Sequence, residues 1–467
     1  MKVILVNPPA RSIQHESIVV PPLGLMYLAA VLRRAGIQVS LKDAFAEGMT
    51  WRAFEAFIKY EKPDVFGIGG MSPVIDTSFR AIKMARPHVR HVIMGGPHAS
   101  LFKEKIFEQC PEVDFLVCGE GEITAVELIK AIQSGQSGNT IDGVITRSSG
   151  GHERLLIKDI DSLPYPDRSV VPNHLYRYPL SKHSCTTTIF SSRGCPYACT
   201  FCDKSTFGSV WRARSAENVL GECDEILHHH GIKSVIFYDD LFTVQKERVA
   251  AICEGILSRG WKLDWKCEGR VNLADIDLIK LMRRAGCSLI AYGVESGNQA
   301  GLDYLNKRTN PDQIARAFDL TRKAGIRTMA YFILGIPVET YEDEIRTIEF
   351  AKKIRPTYAQ FSILSPYYGT KVYDEAVAKG WYREIDAQNP MDKDLKRPVI
   401  LSENWNEDQL RKIIREAHRR FYFRPGYVLS YLTAMQGLGQ LWNAIGIAFR
   451  MAKWFGSSNS RGEECDK

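Results

Sequence analysis

Short runs rich in β-branched residues alternate with helix-length segments over most of this chain, and that alternation restricts the fold more than any other feature. Strands separated by helices pair in parallel, because the crossover helix returns the chain to the edge where the last strand began. In residues 1–150 the runs are VILV at 3–6, VFGIGG at 65–70, HVIMGG at 91–96 and VDFLVCG at 113–119, with helices expected around Leu23–Ala35 and Asp76–Met84. They predict an α/β fold that opens on a doubly wound, Rossmann-like sheet. Such sheets bind ligands at the carboxyl ends of their strands. Here those ends carry Gly69-Gly70, Gly95-Gly96 and Gly119-Glu120-Gly121-Glu122.

Residues 151–182 are polar and proline-bearing (SSGGHERL begins the stretch, DSLPYPDRSVVP follows), with no sustained period, and read as a linker. From 183 to 375 the alternation resumes in six runs, TTIFSS, SVIFYDD, LDWKCEG, LIAYGVES, TMAYFILG and AQFSILS, which predict a partial, TIM-like barrel of six β/α units. Residues 376–467 read as a C-terminal helical region, in which WNEDQLRKIIREAHRRFYFRP is one helix stopped by Pro425. Residues 425–449 carry no charge, and Leu438, Leu441, Trp442, Ile445 and Phe449 form one apolar stripe. Two readings stay open there: a helix packed on the barrel, or one lying on a membrane surface or a lipid-like substrate.

With 467 residues the chain is too long for one core, so several domains are expected. Sixty-one Lys and Arg against 54 Asp and Glu leave a net charge of +7, modest for this size, and no basic aromatic patch is present, so no nucleic-acid partner is expected. The start, MKVILVNPPA, runs straight into a strand without a charged leader, and a cytoplasmic location is expected. Eleven cysteines, an odd count, then read as a few ligands plus reduced thiols.

Three of them lie together in SSRGCPYACTFCDKS: Cys195, Cys199 and Cys202. The spacing lets three thiolates in one loop converge on a point, at the carboxyl end of a barrel strand where barrel enzymes keep their chemistry. A 4Fe-4S cluster normally takes four cysteines. Three would leave one iron open to a small chelating ligand. A zinc site would need a fourth ligand at familiar spacing, and His183 does not supply it. Unrelated reduced thiols are the other alternative. The remaining cysteines, Cys110, Cys118, Cys185, Cys223, Cys253, Cys267, Cys287 and Cys465, stand alone and read mostly as small buried hydrophobes.

The C-x3-C-x2-C spacing, with Phe201 just before the last cysteine, resembles that of radical S-adenosylmethionine (SAM) enzymes. WRARSAENV, FYDDLF, GVESGNQAGLDYLNK, FILGIPVET and SPYYGTKVYDEA are similar to segments of the radical SAM group that carries a cobalamin-binding domain. That group holds class B methyltransferases and relatives of the anaerobic magnesium-protoporphyrin ester cyclase. VVPPLGLMYLAAVLRRAG, VIMGGPHAS and VDFLVCGEGE resemble its N-terminal domain. The resemblance implies a 4Fe-4S cluster on Cys195, Cys199 and Cys202, and reductive cleavage of SAM to a 5'-deoxyadenosyl radical. It implies cobalamin at Pro22, Gly24, Gly70, Ser72, Gly95, Gly96, Gly119 and Glu120. An electron donor such as flavodoxin or ferredoxin and a small, apolar substrate complete the expectation.

For SAM itself the resemblance implicates Phe201, Asp239, Asp240, Arg270, Glu295, Ser296 and Gly335. Asp239 and Asp240 end a strand, so at least one carboxylate should reach the barrel mouth, the alternative being a solvated end or helix cap. Glu295 and Ser296 would hold the methionine or ribose portion. Arg270 could pair with the SAM carboxylate, or with Glu268 or Asp264. Gly335, Pro337 and Glu339 resemble the family's fifth-strand motif, with Val338 where a glycine is common. Trp211, Arg212 and Arg214 either cover the cluster or pack the next helix. His228, His229 and His230 point in different directions on a helix and suit its end better than a metal.

No D-x-H-x-x-G motif occurs in the first 150 residues, so bound cobalamin is expected without a protein His on cobalt. Methylation of an unactivated carbon is the leading expectation, because a carbon radical accepts a methyl radical more readily than it attacks the electrophilic methyl of SAM. Oxidative cyclisation or rearrangement of a tetrapyrrole or lipid-like substrate is the alternative, and a non-enzymatic cluster and cobalamin sensor is a third.

Overall fold

The computed structural model describes residues 1–9, 18–386 and 396–427. Its first sheet holds β1 (Val3–Asn7), β2 (Val39–Asp43), β3 (Val65–Gly69), β4 (His91–Gly95), β5 (Phe115–Val117) and β6 (Val144–Ile145), in the order β2-β1-β3-β4-β5-β6. All pairs are parallel except β5 with β6. The inner strands are apolar on both faces because helices cover both. Ile4, Val6, Phe66 and Ile68 pack with Phe54, Ile58, Ala81 and Ile82 of helices Trp51–Glu61 and Ile75–Ala85. Val3, Leu5 and Val65 pack with Ala29, Leu32 and Ile129 of helices Leu23–Arg34 and Gly121–Gln133. Sequence order reverses between β1 and β3, which opens a crevice at their carboxyl ends.

The second sheet follows with β7 (Thr187–Ile189), a two-stranded ribbon of β8 (Ser192–Arg193) and β9 (Arg212–Ala213), then β10 (Ser234–Phe237), β11 (Asp264–Gly269), β12 (Cys287–Glu295), β13 (Arg327–Leu334) and β14 (Tyr358–Ile363). Six parallel strands run β14-β13-β12-β11-β10-β7, the incomplete barrel expected from the alternation. Along β13, Thr328, Ala330, Phe332 and Leu334 are buried beneath the helices, and the residues between them face the barrel interior. The outer helices start on local hydrogen bonds: Asn310 with Gln313 and Thr340 with Asp343 form capping boxes.

Residues 151–182 form three single turns of 3-10 helix, yet they are far from loose. Arg168 is fully buried against Glu222 at 2.6 Å, and the buried Tyr176 donates to Asp43 at 2.8 Å. Past Gly369 the expected helices occur at Lys371–Ala378 and Glu407–Tyr422. Between them lies an antiparallel pair, β15 (Tyr382–Asp386) and β16 (Lys396–Ile400), where helix was expected. Pro398 is tolerated in β16 because a two-stranded ribbon leaves one edge of each strand free. The long helix ends at Tyr422, three residues before Pro425. The apolar stripe at 438–449 lies outside the described residues. Among the described residues no helix is long and apolar enough to cross a membrane.

Candidate active site

A cavity of about 1150 Å³ lies where the carboxyl ends of the first sheet meet the cysteine loop. Pro22, Gly24, Gly70, Gly95, Gly96 and Gly119 line one side, and Cys195, Cys202, Tyr238 and Asp240 the other. At two of these glycines a side chain would meet close neighbours. A Cβ on Gly70 would sit 2.5 Å from Met94 Cε, and Gly96, at φ +90°, would press one to 3.0 Å from the Gly70 carbonyl oxygen. The rim is therefore bare backbone that a flat, bulky ligand can rest on.

Two expected rim residues are placed differently. Ser72 lies off the cavity wall, its hydroxyl 3.0 Å from His98 Nδ1, because the turn after Met71 carries it toward helix Pro97–Phe102. Burial pushes the His98 imidazole down to about 4, so it is neutral at ordinary pH. Glu120 contributes backbone to the wall, but its carboxylate turns away to Arg193 and Arg212, each at 2.7 Å.

Residues Gly194–Trp211 form a loop closed at its neck by the antiparallel register Ser192 with Ala213 and Arg193 with Arg212. All three cysteines lie in it. Lys204 Nζ donates to the carbonyls of Cys195 (2.8 Å) and Tyr197, and Asn306 Nδ2 to that of Ala198 at 2.6 Å. Partial withdrawal from water within the loop, then the neighbouring Cys199 and Cys195, push the Cys202 thiol up to about 11, so the three sulfurs share one electrostatic environment. Among the described residues no three His, Cys, Asp or Glu are yet gathered around a metal-sized point, so the loop supplies a donor set rather than a finished cage. Thiolates are what an iron-sulfur cluster needs. Phe201 packs instead with Leu305, Ile336 and Leu364, off the cavity, because the apolar cluster these residues form with Val372 and Ala376 takes its ring.

Gly194 is the tightest point of the neck. Its φ is +80°, and a Cβ would stand 2.4 Å from the Val210 carbonyl oxygen. Gly194→Ala is expected to open the neck and to lower iron retained after anaerobic reconstitution, measured per chain, with iron content equal to the unaltered protein as the contrary result.

At the barrel mouth the two aspartates divide their work. Asp239 is buried and accepts from Ser191 N, Ser191 Oγ and Ser192 Oγ, each at 2.6 Å, which pins the start of the loop. Asp240 lines the cavity and accepts from Gly194 N at 3.1 Å; burial and the adjacent Asp239 push its carboxyl up. Of the seven residues expected around SAM, Asp240 alone lies on this cavity wall. Glu295 holds a left-handed φ of 66° and pairs with Lys307 at 2.5 Å. Ser296 Oγ donates to the buried Glu339 at 2.6 Å, drawn outward by the turn that follows β12. Arg270 reaches neither Glu268 nor Asp264: it donates to the Lys307 carbonyl and lies 3.6 Å over the Tyr197 ring. At Gly335, φ +77°, the close neighbour is Leu410 of helix Glu407–Tyr422, 2.5 Å from a Cβ placed there.

Arg212 and Arg214 pack rather than cover the cluster loop from outside: Arg212 bonds Glu120, and Arg214 bonds Glu222 and Asn218. Trp211 lies 5.9 Å from the Arg248 guanidinium. His228 is exposed beside Asp224, as suits a helix end. The sequence reading missed the polar barrel interior. Glu268, lifted to about 7 by burial, faces Tyr331 at 3.4 Å, and Lys266 is lowered to about 8 by burial. It also missed Arg193, though that residue stands two places before Cys195.

Residues 189–351 match the radical SAM superfamily and residues 18–129 the B12 binding domain. An uncharacterized methyltransferase of Pyrococcus horikoshii is 33% identical over 439 residues, covering 92% of this chain and 94% of that protein. The anaerobic magnesium-protoporphyrin IX monomethyl ester cyclase of Cereibacter sphaeroides is 27% identical over 462 residues, 92% of this chain and 74% of its own. In fold the chain is similar to the radical SAM methyltransferase TsrM of Kitasatospora setae, whose structure holds cobalamin and a 4Fe-4S cluster. The TM-score is 0.72 at 18% identity, over 91% of this chain and 89% of that one. This chain belongs to the radical SAM superfamily, in the group that joins a B12-binding domain to the radical SAM domain, and it is an enzyme.

Proposed function

We propose that the protein transfers a methyl group to an unactivated carbon of a small molecule, with Cys195, Cys199 and Cys202 holding a 4Fe-4S cluster and the glycine rim holding cobalamin. The observation that carries this reading is the single cavity shared by the rim and by two of the three cysteines. When bound, the cluster supplies the electron that cleaves SAM and cobalamin supplies the methyl donor. The chain's own part is positional. Gly70 and Gly96 let a flat ring lie against backbone, Lys204 ties the cysteine loop together at the Cys195 and Tyr197 carbonyls, and Asp240 presents a carboxylate to the ammonium or ribose of SAM. Tyr238, half exposed on the cavity wall, offers a face for substrate to stack on.

On this reading the chain divides into 1–150, 151–182, 183–375 and 376–467. A flavodoxin- or ferredoxin-type protein is the expected electron donor. The described cysteines are all free, which suits a reducing cytoplasm. Oxidative cyclisation is the second reading, favoured by the 27% identity to the ester cyclase across 92% of the chain. The two separate in one experiment. Protein purified with hydroxocobalamin and given reductant and methyl-labelled SAM is expected to carry label on the corrinoid and to form 5'-deoxyadenosine; 5'-deoxyadenosine with an unlabelled corrinoid would favour cyclisation.

A further inference from the structure

The loop that carries the three cysteines begins and ends on arginines, and both reach the same carboxylate at the start of helix Gly121–Gln133. Arg193, before the loop, places Nη1 2.7 Å from Glu120 Oε1; Arg212, after it, places Nη1 2.7 Å from Glu120 Oε2. Arg193 Nη2 meets Glu122 at 2.6 Å, and its guanidinium lies between the rings of Tyr27 (5.1 Å) and Phe207 (5.2 Å). Glu120 Oε2 also accepts from Ile157 N at 2.7 Å, while Arg212 donates to the Ile157 carbonyl at 2.6 Å. Arg193, Arg212, Glu120 and Glu122 are all buried.

A carboxylate bonded through one oxygen to a single partner still pivots. One whose two oxygens are claimed by guanidiniums on opposite strands of a ribbon does not, and away from water neither bond has a competitor. The charges balance within the group, two arginines against two glutamates. Glu120 is at the same time part of the rim: Gly119, Glu120 and Gly121 all line the cavity.

We infer that Glu120 is a positioning residue that closes the neck of the cysteine loop from the rim side and so fixes the separation of the two cofactors. This rests on the cofactor assignment proposed above. Opening the neck leaves each cofactor its own ligands and removes what sets the distance between them. A purely structural ion pair would change stability and leave that distance unaltered wherever the protein folds.

The test uses full-length protein purified with hydroxocobalamin, reconstituted with iron and sulfide and reduced with dithionite. Two paramagnets then report on each other, and pulsed electron paramagnetic resonance reads their separation through the relaxation of cob(II)alamin by the reduced cluster. In Glu120→Gln, iron and corrinoid contents are expected to match the unaltered protein while the narrow distance distribution is lost. Glu122→Gln, which leaves the neck closed, is expected to keep it. If Glu120→Gln does not fold, Arg212→Lys decides, because an ammonium keeps the charge but cannot hold Glu120 and the Ile157 carbonyl in one plane. An unchanged narrow distribution in the folded variant overturns the inference. Absence of corrinoid from the unaltered protein overturns the cofactor assignment instead, and the inference with it.

Discussion

Changing Cys195, Cys199 and Cys202 together to Ala is expected to abolish iron binding, the visible absorption of the cluster and all reductive formation of 5'-deoxyadenosine from SAM. The fold should survive. Cys202 is exposed and the other two are half-buried, so their removal opens no core cavity. Each single change should cost most of the activity too, since a cluster left with two protein thiolates has no other cysteine in the loop to recruit. The measurement is iron and sulfide per chain with 5'-deoxyadenosine by chromatography. A cluster that persisted in the triple variant would end the assignment of this loop.

The second large effect concerns stability. Arg168, Glu222 and Arg214 form a fully buried triad: Arg168 Nη2 lies 2.6 Å from Glu222 Oε1, and Arg214 holds the other oxygen. Glu222→Ala strands two buried guanidiniums, and breaking such a pair costs about 3–5 kcal/mol. A fall of ~10 °C in the thermal midpoint follows for the part of the chain that unfolds with it. Burial raises the Glu222 carboxyl, but Arg214 and Arg168 outweigh it, so the folded value lies below the ordinary 4.5. A depressed carboxylate contributes its stability above the unfolded value and loses it as pH falls through the folded one. Chemical denaturation should therefore show the full difference between variant and parent at pH 7 and a shrinking one in acid below 4.5. A constant difference across that range would show that the triad is not what was removed.

The two sheets were legible because parallel strands covered on both faces must be apolar throughout, and VILV, VFGIG and LIAYGVE announce themselves. Strands that escaped notice had no such need. VSLKD forms an edge strand with one exposed and two half-buried residues, and the two-residue β6 is shorter than any periodic signal. The β15–β16 ribbon mixes charge with Val and Ile over five-residue stretches. The cysteine triplet was legible because three cysteines lie within eight positions. The family resemblance implies Glu120 as a cobalamin contact, whereas the partners of its carboxylate lie 73 and 92 positions away, beyond anything spacing reveals. Arg270 and Ser296 share that difficulty. Each sits at a strand end, where the backbone position follows from sequence and the direction of the side chain follows from whichever partner arrives.

The neck has a consequence for the order in which the protein is made. A ribosome delivers the first sheet, with Glu120 and Glu122, well before Arg193 and Arg212 leave the exit tunnel. Through that interval the two carboxylates stand uncompensated at the start of their helix, and water must keep them. The ribbon that closes the cysteine loop meets an anchor already folded when it emerges, so only a chain stalled between Cys202 and Arg212 offers its thiols with the neck unfastened. On the assignment proposed above, the barrel translated without its leading sheet would present its three sulfurs in an unfastened loop.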